Sequence, residues 1–184
     1  MKKLLGWALV SVMASACGDD GPPDVDTGIP DSTPLVDLTD AQAVQACIAF
    51  ERWDREEAAG LVSDRDLCTI FAVAFTEDAA SCQGAITACL NAEPEPEPEP
   101  ENTPEEECAG ETAPELSSTC DVTVGEIEAC TNARIDAYRR LVGDLDCSYA
   151  GDEARLEALE DRYEPEICRD IERRCPELED SDVI

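Results

Sequence analysis

Ten cysteines, all downstream of residue 46, constrain what this chain can fold into more than any other feature. They are Cys47, Cys68, Cys82, Cys89, Cys108, Cys120, Cys130, Cys147, Cys168 and Cys175, and an eleventh, Cys17, stands alone far upstream. None shows the C-x2–4-C spacing of a zinc site or the C-x-x-C of a redox dithiol, and the chain has no histidine. Five disulfides formed in an oxidising compartment are therefore expected. They have work to do, because aromatic residues make up only 4% of the chain and small domains with cores of that kind need covalent help.

The cysteines sit in helical patterns. Thr39 with Gln42 offers a capping box before a helix over about 40–59. Ser63 with Asp66 opens a second, in which Leu67, Cys68, Phe71, Ala74 and Phe75 form a stripe at helical period. Thr76 is placed to cap a third, with Ala79, Cys82, Ile86, Cys89 and Leu90 on one face. In the second half Thr123 with Glu126 caps a helix carrying Ile127, Cys130, Ala137, Tyr138 and Leu141. A weaker helix over about 152–163 carries Leu156, Leu159 and Tyr163. Pro165 sits at the first position of another, with Ile167, Cys168, Ile171 and Cys175 on one face, and Pro176 stops it. No stretch sustains two-residue alternation, so the expected class is all-α.

The two halves look alike. VQAC at 44–47 is answered by IEAC at 127–130, and each half ends in a C-x6-C pair. Between them EPEPEPEPE, at 93–101, reads as a polyproline-type spacer of roughly 28 Å. The expected architecture is thus two small disulfide-stapled bundles of about three helices each, joined by an extended Glu-Pro linker. Its segments are a four-cysteine domain over 39–91, a linker over 92–107, a six-cysteine domain over 108–178 and an acidic tail over 179–184.

Helix geometry narrows the pairing. Cysteines seven apart on one helix are separated by about 10.5 Å along its axis, beyond the roughly 7 Å limit of a disulfide. Cys82–Cys89 and Cys168–Cys175 are excluded, and each C-x6-C helix becomes a post for two neighbours. An up-down-up order in each half predicts Cys47–Cys82, Cys68–Cys89, Cys130–Cys168 and Cys147–Cys175, leaving Cys108–Cys120 to close a loop around Pro114.

The N-terminal region supplies an address. Lys2 and Lys3 precede an apolar run from Leu4 to Ala14, too short to span a bilayer as a stable helix, and 1–16 read as a signal peptide. Ala14-Ser15-Ala16-Cys17 resembles the lipobox of bacterial lipoproteins, although Leu is usual where Ala14 stands. The resemblance implies that Cys17 is lipidated and becomes the mature N-terminus. Gly18 in the next position, in place of the Asp that signals inner-membrane retention, implies sorting to the outer membrane. Residues 17–38, rich in Asp, Pro and Gly, read as a disordered lipidated tether. Asp24, Asp26 and Asp31 lack the register of an EF-type calcium loop. The chain as a whole looks like the small cysteine-rich helical lipoproteins of myxobacteria, a resemblance of style that implies a location and no mechanism.

Charge and composition trim the functional classes. The formal net charge is −31, from 44 acids against 13 bases, and removal of a leader containing Lys2 and Lys3 makes it more negative still. Such a chain repels nucleic acid and anionic lipid headgroups. Without histidine the commonest general base and the usual nucleophile pairs are missing. Trp53 shares a face with Ala46, Phe50 and Glu57 and reads as packing; Arg139-Arg140 and Arg173-Arg174 read as partners of surrounding acids. No catalytic residue, cofactor or metal ligand is nominated. The expected function is that of a non-enzymatic cell-envelope lipoprotein, on the periplasmic or outer side of the outer membrane. It would display stapled helical modules to an envelope or extracellular protein, or serve a structural role. The alternatives are a small secreted-type enzyme or inhibitor, and a calcium-dependent adhesion protein.

Overall fold

The computed structural model describes residues 24–56, 60–92 and 102–180. Within them the chain is all-helical: α1 (Asp40–Glu56), α2 (Asp64–Phe75), α3 (Ala79–Leu90), α4 (Pro104–Glu107), α5 (Val124–Asp144), α6 (Glu153–Tyr163) and α7 (Glu166–Arg174). Three 3-10 turns, Leu35–Asp37, Cys147–Tyr149 and Pro176–Asp180, connect or follow them. The lipobox with Cys17, the Glu-Pro repeat at 93–101 and residues 181–184 lie outside the described residues.

Local chemistry starts these helices. Thr39 and Gln42 exchange backbone–side-chain bonds ahead of α1, and complete capping boxes join Ser63 to Asp66 before α2 and Thr123 to Glu126 before α5. A further box, Thr103 with Glu106, opens α4 inside the stretch expected to be linker. The cap of α3 is Asp78, two residues beyond the expected Thr76, because its carboxylate reaches the amides of Ala80 and Ser81. Pro165 is the N-cap of α7 and lies just outside the helix.

Two apolar clusters hold the elements. The larger joins Ile29 and Leu35 to Cys120, Val122, Val124, Ile127, Cys130, Cys168, Ile171, Cys175 and Leu178, with Leu38 and Ala46 packed against it. The smaller joins Cys68, Ala72, Val73, Cys82 and Ile86 to Cys147, with Leu145, Tyr149 and Leu156 against it. Neither respects the expected boundary at the Glu-Pro repeat, because each draws residues from both sides of it. The contact is close enough to demand glycine: a Cβ on Gly151 would lie 2.1 Å from the Glu77 carbonyl oxygen at the α2–α3 turn, and Gly151 also has φ +76°.

The disulfides show the same crossing. Cys68–Cys89 and Cys130–Cys168 are bonded, with Cα separations of 5.7 and 5.0 Å. The other three expected pairs are corrected. Cys47 bonds Cys108 and not Cys82, Cys82 bonds Cys147, and Cys120 bonds Cys175. The reason is where α1 lies. The up-down-up order placed α1 beside α3, whereas α1 packs on α4, bringing Cys47 opposite the α4 C-cap Cys108. That frees Cys82 to meet the 3-10 turn at Cys147, and the displaced Cys175 closes onto Cys120 in the loop before α5.

The expected tether is also corrected over its described part. Residues 24–35 form a strap laid antiparallel along α5. Val25, Ile29 and Leu35 are buried. The carbonyls of Asp31 and Thr33 accept from the amides of Gly125 and Val124, two of the N-terminal donors that α5 cannot satisfy internally. The approach requires Gly125, where a Cβ would sit 2.5 Å from the Asp31 Cβ. Pro34 and Thr123 then form an isolated antiparallel bridge.

Candidate functional site

The chemistry-bearing groups divide into those spent on the fold and those left facing outward. Arg174 belongs to the first kind. Its guanidinium binds Asp121 at 2.8 Å, Glu126 at 2.6 Å and Asp170 at 3.4 Å, tying α7 to the start of α5. Glu126 and then Asp121 raise the Arg174 pKa, and the same contact holds Glu126 below its ordinary value. Arg173 pairs with Asp170 at 2.9 Å, and Arg140 donates to the Asp136 carbonyl on its own helix.

A second charged seam runs between α1 and α4 beside Cys47–Cys108. Arg52 pairs with Glu105, while Arg55 pairs with Glu107 and donates to the Asn102 carbonyl at 2.7 Å. Burial, and then the neighbouring Glu107, push the Glu51 carboxyl above its usual range. Trp53 is half-buried on this helix. Arg155 stacks 4.5 Å from the Tyr149 ring centroid and donates to the Ser148 carbonyl, fixing the turn at Cys147. Among the described residues no three His, Cys, Asp or Glu side chains converge to hold a metal ion, and no helix is long and apolar enough to cross a membrane.

The outward-facing feature lies on α2. Of the expected apolar stripe Leu67, Cys68, Phe71, Ala74, Phe75 only Cys68 is buried; the buried face is Cys68, Thr69, Ala72 and Val73. The helix is rotated so that Phe71 is 47% and Phe75 80% exposed, with Ala74 exposed between them. One turn apart, the two rings stack with centroids 6.3 Å apart and planes 12° from parallel. Small residues on the inner face explain the rotation. They let α2 close against α3 and the Cys82–Cys147 bridge, a narrow space that two phenyl rings would overfill.

The aromatic pair is rigidly carried and electrostatically framed. Cys68–Cys89 ties the start of α2 to the end of α3, and a three-residue connection closes the other end of the hairpin. Asp64 and Asp66 lie at the start of α2, and Glu77 and Asp78 follow Phe75. Bonds from the Ser81 and Ala80 amides and the Ser81 hydroxyl hold Asp78 below its ordinary pKa, so it stays ionised through mildly acidic pH. Both phenylalanines belong to the helical stripe expected from the sequence, yet they face solvent. No protein-family model, curated protein or solved structure matches this chain.

Proposed function

We propose that this chain is a non-enzymatic lipoprotein of the cell envelope, held at the outer membrane by a lipid on Cys17. On this reading it presents the Phe71–Phe75 face to an envelope or extracellular protein. The observation that carries the interaction is a stacked, exposed aromatic pair on a disulfide-clamped hairpin whose other face is buried. Aromatic anchors of this kind contribute disproportionately at interfaces, and burying one phenyl ring contributes roughly 1.5–3 kcal/mol.

The partner follows from charge. Acids bracket the rings on both sides in a chain of net charge −31. The complementary surface is an apolar pocket rimmed by Lys and Arg, and like-charge repulsion disfavours a second copy of this chain in that role. The five disulfides, two of them joining the regions on either side of the Glu-Pro repeat, support an oxidising location.

Two measurements test this reading. A photo-crosslinking residue at the exposed position of Ala74 should give one dominant protein adduct on intact cells, and F71S/F75S should abolish it with all five disulfides intact. An unchanged adduct in the double variant rules out the aromatic face. Cys17→Ala should release the protein from the membrane fraction, and persistence there after a carbonate wash rules out the lipid anchor.

A further inference from the structure

The strap is held as a bound peptide is held. Along residues 24–30 burial alternates strictly: Val25, Thr27 and Ile29 are 3%, 5% and 4% exposed, while Asp24, Asp26, Gly28 and Pro30 face solvent. From Val25 to Ile29 its backbone bonds go to side chains, those of α1 and α5 and, at the Gly28 and Ile29 amides, the strap's own Asp26 and Thr27. The Val25 amide donates to Asn132 Oδ1 at 2.8 Å, and Asn132 Nδ2 donates back to the Val25 carbonyl at 3.3 Å. Two residues on, the Thr27 amide and hydroxyl both donate to Glu128 Oε1 at 2.7 Å, and Gln45 Nε2 on α1 donates to the Thr27 carbonyl at 2.7 Å.

The spacings match. Glu128 and Asn132 are one turn apart on α5, an axial step of about 6 Å, and successive inward residues of an extended chain repeat every 6.6–6.8 Å or so. A helix presenting polar side chains at i and i+4 can therefore grip every second residue of an antiparallel extended segment. Val25 and Thr27 belong to neither apolar cluster. The part of the strap that contributes to the core begins at Ile29. The groove thus grips two buried residues that lie outside both apolar clusters.

We propose that the groove formed by Gln45, Glu128 and Asn132 is a recognition site for a short peptide that is extended across two β-branched residues at alternate positions and turns at the glycine after them, and that Val25 to Ile29, turning at Gly28 with φ +69°, occupy it in cis. The backbone is read by the three polar side chains, and the alternate inward positions select residue type, the division of labour typical of extended-peptide recognition. Because the cis segment is covalently attached, its effective concentration is high and the site is closed to external peptides in the resting chain. This inference does not depend on the lipid anchor or on the aromatic face.

The test uses the full chain and a fluorescein-labelled peptide with the sequence of residues 24–30, DVDTGIP, read by anisotropy. T27D sets a carboxylate against Glu128 and V25D buries one where Val25 sits, so V25D/T27D empties the groove. The peptide should bind this variant at least about tenfold more tightly than the unsubstituted chain, and adding N132A should reverse the gain by about tenfold. A peptide with Asp in place of Val and Thr should not bind. Absence of binding to V25D/T27D with all five disulfides formed overturns the proposal, as does binding that ignores N132A or equal binding to the unsubstituted chain. If V25D/T27D does not fold, amide exchange on the unsubstituted chain decides. The Val25 and Thr27 amides should exchange through a local opening well before those of Ile127 and Cys130. Exchange of all four only on global unfolding overturns the proposal.

Discussion

The α2–α3 hairpin and the α5–α7 unit are built around the same device and use it differently. Each contains a helix with a C-x6-C pair, and in each the two cysteines bond different neighbours. On α7 both bridges, Cys130–Cys168 and Cys120–Cys175, lie inside the larger apolar cluster with all four residues buried. On α3 only Cys82 is buried deeply; Cys89 is exposed, and the helix it ties down carries Phe71 and Phe75 outward. One unit spends its apolar residues on cohesion. The other spends covalent bonds on cohesion and keeps its largest apolar side chains for the surface.

The sharpest way to break this contrast is to remove one bridge from each unit. C130A/C168A should lower the stability of the whole chain by about 4 kcal/mol, the entropic value for a loop of 38 residues. Urea unfolding followed by near-UV and far-UV signals together should report one shifted transition. C68A/C89A, closing a loop of 21 residues, should cost about 3 kcal/mol and act locally. Limited proteolysis should then cut within α2 or α3 before α5. If the two variants behave alike, the hairpin is no separate display element.

Deleting side-chain bulk gives a second, opposed pair. Ile171, 1% exposed in the larger cluster, should cost roughly 2–5 kcal/mol when changed to Ala. Phe75→Ser removes a larger apolar group, yet should leave stability within about 0.5 kcal/mol because the ring is already in water. A large loss for Phe75→Ser in thermal denaturation would mean that the ring is buried in the working molecule. The seam between the units is the next target. Gly151→Ala drives a methyl into the Glu77 carbonyl and forces a positive φ on a residue with a Cβ, and it should cost more than about 1 kcal/mol. The loss should shrink when C82A/C147A has already loosened that seam, a coupling that a double-mutant cycle measures.

The same contrast explains what was legible in the sequence. Capping pairs such as Ser63/Asp66 and Thr123/Glu126 are local, and so are Cys68–Cys89 and Cys130–Cys168, whose partners lie on helices packed together within each half. These follow from periodicity and helical rise. Cys47–Cys108 and Cys82–Cys147 span the Glu-Pro repeat, and nothing local in the sequence says that α1 packs on α4 while α3 turns toward Cys147. The proline repeat argued for independence and pointed the other way. The strap was hidden by its composition: Asp, Pro and Gly read as tether, and the alternation Val25, Thr27, Ile29 is too short to outweigh them. On α2 the hydrophobicity of Phe71 and Phe75 selected the wrong face, because burial there is limited by the width of the gap and favours Ala72 and Val73.

Acidity sharpens the comparison with the smallest effect. Glu126, bonded by Arg174 and the Thr123 amide, and Asp170, bonded by Arg173, are held below the ordinary carboxylate range in the α5–α7 unit. Their contribution is present above the unfolded pKa and is lost as pH falls through the folded one. Asp54 on α1 is raised by burial, and Glu160 on α6 by burial and then by Glu157 and Asp161. For these the folded chain binds the proton more tightly, so stability grows as pH falls through their raised values. The two groups therefore set opposite limbs. Stability should rise as pH drops from neutral through the raised values of Asp54 and Glu160, where self-repulsion also eases, then fall once pH drops below the ordinary carboxylate range and the Arg174 clasp loses its acceptors. Glu126→Gln should cost about 1 kcal/mol at neutral pH, since the pair is partly exposed and screened, and progressively less as pH falls through the lowered Glu126 value. Thermal midpoints of both chains measured from pH 3 to 7 should converge at the acid end. If the gap stays constant across that range, Glu126 acts through packing, and the salt-bridge clasp contributes nothing that protonation removes.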